Sequence, residues 1–229
     1  MGFPGASADP ADAAYRVVGA PLDVSASFRP GARFGPRQIR QFARPFDDFD
    51  RRTDQQFSAL GVADHGDVRA WDEAPDYLEY LEGVVADAVR EGAVPLVLGG
   101  EHTVSVAGVR AVTPEVYVSV DAHLDLRTAL DGNPWSHSTA TRRALSVADR
   151  AVIIGARTGS REEWARAAEA DVTVVPPDAV ADWTPTFEGS AYLSVEIDAA
   201  DPGVAPGTGR PAPFGLASRD LRDVVRTVA

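Results

Sequence analysis

Cysteine is absent from the 229 residues, which excludes disulfides, thiolate zinc sites and cysteine nucleophiles. Lysine is absent as well. All 22 basic residues are arginine, against 34 acidic ones, and the formal net charge is -12. Basic surface is therefore scarce, and no nucleic-acid partner is expected. No apolar run approaches the roughly eighteen residues of a spanning helix, so no membrane partner is expected. The N-terminus lacks the basic-then-apolar pattern of a secretory signal, and a cytoplasmic location is expected.

What is present has the composition of a folded protein: 45% hydrophobic and 24% charged residues. Asp outnumbers Glu, 23 to 11. An acidic, lysine-free surface suits a salt-rich cytoplasm, where hydrated carboxylates keep the chain soluble and screening removes their repulsion. GC-biased codon usage would give the same enrichment.

Residues 1–14 are small and polar and read as a flexible lead-in; residues 15–229 read as a single domain. Short, nearly continuous apolar runs follow at 16–19, 95–98, 116–120, 151–154, 172–175 and 192–195. Such runs predict strands buried on both faces. Helical patterns lie between them, at Asp76 to Glu91, His102 to Val112, Thr139 to Val147 and Arg161 to Ala170, with a last one from Ser218 to Val228. The alternation predicts an α/β fold: a mainly parallel sheet with helices on both sides.

Polar clusters follow three of these strands. They are Gly99-Gly100-Glu101-His102, Asp121-Ala122-His123-Leu124-Asp125 and Glu196-Ile197-Asp198-Ala199-Ala200-Asp201. In open α/β sheets ligands bind beyond the carboxyl ends of strands. D-x-H-x-D as an extended segment would put Asp121, His123 and Asp125 on one side. With His102, Glu196 and Asp198 they make a set rich in carboxylates, which repel unless cations are bound. Oxygen ligands with some imidazole suit Mn²⁺, and the number of ligands suggests two ions holding an acidified water. Taken alone, D-x-H-x-D also fits a capping and turn sequence. His65 reads as a turn or surface histidine.

These residues resemble the ureohydrolase (arginase and agmatinase) superfamily of binuclear manganese enzymes. The resemblance is carried by Arg29-Pro30-Gly31-Ala32-Arg33-Phe34-Gly35-Pro36, by Gly99-Gly100-Glu101-His102, by Asp121-Ala122-His123-Leu124-Asp125, by Ser194-Val195-Glu196-Ile197-Asp198-Ala199-Ala200-Asp201-Pro202 and by the turn Ala205-Pro206-Gly207-Thr208-Gly209-Arg210-Pro211. It implies a three-layer α/β/α arginase-like fold and a homo-oligomer, trimer or hexamer. It implies two Mn²⁺ per chain: one on His102, Asp121, Asp125 and Glu196, the other on Asp121, His123, Glu196 and Asp198. The implied reaction is attack of a bridging hydroxide on a guanidinium carbon, releasing urea and an amine. His137 would protonate that amine, or is an ordinary loop histidine.

Gly155-Ala156-Arg157-Thr158-Gly159-Ser160-Arg161-Glu162-Glu163 is similar to a segment of agmatinase-like members. It points to agmatine, giving putrescine and urea in polyamine biosynthesis, with Arg157 as a substrate-binding residue. Arginine and guanidinobutyrate are the alternatives, and Arg157 and Arg161 also read as helix-start or surface charges. A one-zinc deacetylase of related fold is disfavoured by the paired acids after Ser194. The sequence departs from the family pattern twice. Glu196 stands where the pattern has Asp, one methylene longer. The chain also stops at Ala229, before the family's last strand and its guanidinium-contacting acid, so that strand is expected to be missing. Both departures favour the competing expectation, a catalytically impaired binding protein.

Overall fold

The apolar runs at 16–19, 116–120 and 151–154 fold as strands buried on both faces. Leu96 in the run 95–98 and Val195 in the run 192–195 are exposed instead, against the expectation of burial on both faces. The computed structural model describes residues 2–69 and 71–229; Met1, part of the expected lead-in, lies outside them. Contacts divide the chain into two compact units. One is Met1–Val24 with Gly31–Ala111, the other Ser25–Pro30 with Val112–Ala229.

The first unit contains β1 (Tyr15–Ala20), α1 (Gly35–Ala43), a short hairpin of β2 (Phe49–Asp50) and β3 (Gln55–Gln56), β4 (Val62–Asp67), α2 (Ala74–Arg90) and β5 (Val94–Gly99); α3 (Val104–Val112) ends at its boundary. Its parallel sheet has the order β4-β1-β5. The helix α2 buries Tyr77, Leu78, Leu81, Val85 and Ala88, a stripe at helical spacing. The lead-in residues hydrogen-bond to β4: Phe3 N–H donates to Asp64 Oδ2 at 2.5 Å and Ala8 N–H to the Val62 carbonyl at 3.0 Å.

The strand β4 and helix α1 go beyond the sequence reading, for one shared reason. Arg40 of α1 is fully buried and forks onto Asp64, Nε to Oδ2 and Nη2 to Oδ1, both at 2.7 Å. Its Nη1 reaches Asp67 Oδ1 at 2.5 Å. A buried guanidinium is stable only when paired in this way. Gly19 makes room for it, because a Cβ there would lie 1.9 Å from Asp67 Oδ1.

The second unit contains β6 (Val116–Val120), α4 (Ala140–Ala144), β7 (Arg150–Ile154), α5 (Arg161–Ala167), β8 (Val172–Val175), β9 (Ala191–Val195) and α6 (Ser218–Val228). Helices α4 and α5 stop earlier than expected. The sheet is parallel, in the order β8-β7-β6-β9. Val118, Val120, Ile154, Val175 and Leu216 share one apolar cluster. Register places Val120 beside Ile154 on one side and beside Val195 on the other. Three polar segments, beginning at Asp121, Gly155 and Glu196, therefore leave the sheet side by side.

Candidate metal centre

The segment after β6 does not continue as a strand. Asp121 Oδ1 accepts the His123 N–H at 2.8 Å, turning the chain, and Asp125 sits in the left-handed region at φ 49°. The expected extended alternation is thus replaced by a turn, because the short Asp side chain binds its own backbone. Convergence is reached all the same. One ligand atom from each of Asp121, His123 and Asp198 lies within 4.8 Å of the others, and Asp121 and Asp125 meet the same limit. His123 Nδ1 is 3.1 Å from Asp198 Oδ2 and 3.5 Å from Asp121 Oδ1. The Ala122 N–H donates to Asp198 Oδ1 at 3.3 Å.

The electrostatics of this trio fit a cation. Burial, with the Asp121 charge beside it, raises the Asp198 carboxyl above the usual carboxylate range, against the hydrogen bond from His123. Burial also works against a charged His123, but hydrogen bonds to Asp121 and Asp198 and their charges hold its ring at about 10. The two carboxylates thus favour positive charge at the place between them, which a divalent ion would also supply. The oxygen-rich donor set with one imidazole suits Mn²⁺ or a similar hard ion.

Two expected residues, Glu196 and His137, are in neither group of converging ligand atoms among the described residues. Glu196 Oε1 accepts from Ser194 Oγ at 3.4 Å. The ring of His137 lies between hydroxyls, with Nδ1 3.2 Å from Ser25 Oγ and Nε2 3.3 Å from Ser27 Oγ. His102 is buried in the turn before α3, in the other unit.

Arg157 has a different task from the substrate contact expected of it. Its Nε donates to the Pro213 carbonyl at 2.9 Å. Its Nη1 donates to Gly155 and Ala199 at 3.0 and 3.1 Å. Its Nη2 donates to Asp198, Ala200 and Ala212 at 2.8, 3.3 and 2.7 Å. All donors of the fork are spent on backbone carbonyls, several from the very segment that carries Asp198. Gly215 lets the fork in, since a Cβ there would be 2.5 Å from Arg157 Nη2. Ser160 and Glu163 form a capping box that starts α5. The segment from Gly155 to Glu163 is thus accounted for by loop and helix architecture.

A cavity of about 390 Å³ opens on His123 and is lined also by Arg157, Arg210 and Phe214. Sequence reading passed over Arg210 as part of a turn. The signal was available: Arg210 is the only charged side chain between Asp201 and Arg219.

Parallel α/β architecture with a His/Asp cluster at strand ends defines the class, a protein with a candidate metal site, and comparison with known proteins narrows it. The arginase family model matches residues 13–229. An agmatinase of Pyrococcus horikoshii is 33% identical over 212 residues, 90% of this chain and 75% of its own length. A guanidinobutyrase of Pseudomonas aeruginosa is 34% identical, over 96% of this chain and 76% of its own. The crystal structure of agmatine ureohydrolase of Thermoplasma volcanium superposes with a TM-score of 0.89 at 31% identity, covering 99% of this chain and 81% of that one. The chain belongs to the arginase family.

Proposed function

We propose that this chain is a metal-dependent amidinohydrolase that splits a guanidino compound into urea and an amine. The observation that carries the reading is the convergence of Asp121, His123 and Asp198 at adjacent strand ends. Those residues would hold Mn²⁺, which when bound supplies hydroxide near neutral pH. Asp121 and Asp198 provide the negative charge that retains the ion. His137, with hydroxyls at both ring nitrogens, is suited to carry a proton toward the leaving amine.

The test is urea release from guanidino compounds by Mn²⁺-loaded protein, with agmatine as the reference substrate because it is the one named for the Pyrococcus and Thermoplasma relatives. Chelation should abolish release and Mn²⁺ restore it. Asp198→Asn should lose both bound metal and activity. The ligand roles implied for His102, Asp125 and Glu196 are tested by counting bound Mn²⁺ in single alanine variants. A second reading, binding without turnover, is favoured by the position of Glu196 outside the converging group. Stoichiometric metal without urea from any guanidino compound would support it.

A further inference from the structure

We propose that Arg210 reads the far end of the substrate, selecting guanidino compounds that end in a carboxylate over those that end in an amine. The proposal rests on the amidinohydrolase reading and adds the charge class of the substrate to it. Arg210 and His123 line the same cavity, so a molecule bound there can meet both a candidate metal ligand and this guanidinium.

The charges around that cavity are unequal in what they leave free. Arg157 has all its donors on backbone carbonyls. Asp201, on the adjoining turn, has its Oδ1 on the Gly203 N–H at 2.8 Å and its Oδ2 on the Gly215 N–H at 3.1 Å. Asp198 is engaged by His123 and the Ala122 N–H. Arg210 is exposed and, among the described residues, has no hydrogen bond or ion pair. Its turn is nevertheless fixed in place. Gly209 approaches the Arg29 carbonyl so closely that a Cβ would lie 2.9 Å from it. A guanidinium on an anchored turn, with its fork unspent, matches a carboxylate bidentately. Facing a terminal ammonium, it would be repelled and would gain no hydrogen bond, since neither group accepts one.

Guanidinobutyrate and agmatine make the test, because both carry a guanidinium on a short alkyl chain and differ at the far end. Kinetics of urea release and calorimetric binding of each compound would be measured on Mn²⁺-loaded protein, as wild type, Arg210→Gln and Arg210→Glu. The wild type should favour guanidinobutyrate by about tenfold or more in kcat/KM, the worth of one charge-assisted hydrogen bond. Arg210→Gln should erase most of that ratio and Arg210→Glu should reverse it, with bound metal unchanged. A wild type that prefers agmatine, or a ratio that Arg210→Glu leaves untouched, overturns the proposal. If neither compound yields urea, the hydrolase reading fails separately. Binding then still decides: tighter guanidinobutyrate, lost in Arg210→Glu, supports the role of Arg210, and equal binding refutes it.

Discussion

Arg157 shows how one side chain type can be read in two ways. A motif match places an arginine beside the candidate site, but cannot say whether its fork faces a ligand or the backbone. Here six carbonyls share it. A lysine has fewer donors, at one point, and cannot span them. Arg157→Lys is therefore expected to destabilise the fold by about 3 kcal/mol in denaturant unfolding, the order of one or two lost charge-assisted hydrogen bonds. It should also weaken Mn²⁺ binding, because the Asp198 segment loses its tether. Unchanged stability would show that the carbonyls find other partners. Asp121, His123 and Asp198 were legible in the sequence from their place after apolar runs. The left-handed backbone of Asp125 was not, because it depends on local geometry that residue spacing does not encode.

Elements were legible where burial is apolar and hidden where it is ionic. Strand β6, with Val116, Val118 and Val120, stands out at once, and β9 pairs with it in register. Strand β4 carries Asp64 and Asp67 toward Arg40 and so has no apolar signature. That ion pair makes a pH prediction. Burial alone would raise the Asp64 carboxyl, but hydrogen bonds from Arg40 and from the Gly66 and Phe3 N–H groups hold it below the usual carboxylate range. A folded value below the unfolded one stabilises the protein above about pH 4, and this share is lost as pH falls through the folded value. Asp64→Asn leaves Arg40 buried without its main partner and should cost about 3–5 kcal/mol at neutral pH. The gap to wild type should narrow in acid; a gap independent of pH would contradict the account. Gly100, in the Gly-Gly-Glu-His turn, makes a second prediction. A Cβ there would fall 2.1 Å from the Leu22 carbonyl oxygen and 2.9 Å from that of Ala20. Both are backbone atoms that cannot swing aside. Gly100→Ala should therefore cost at least about 3 kcal/mol, measurable by thermal unfolding.

At the scale of the molecule, acidity dominates. A net charge of -12 with no lysine destabilises the compact state through self-repulsion that salt screens. The melting temperature is expected to rise between low and molar KCl, and a flat or falling trend would remove salt adaptation as the reason for this composition. The parallel α/β class was legible from strand–helix alternation, and the family from a handful of ordered motifs. The central claim is that the carboxylates and imidazole at the strand ends hold a metal for guanidino hydrolysis. Its most direct test is urea release by purified protein in high salt, measured with Mn²⁺, after chelation, and after Mn²⁺ is returned. The account predicts urea from at least one of agmatine, guanidinobutyrate and arginine, lost on chelation and recovered with Mn²⁺. Metal bound in full with no urea from any of the three would contradict it.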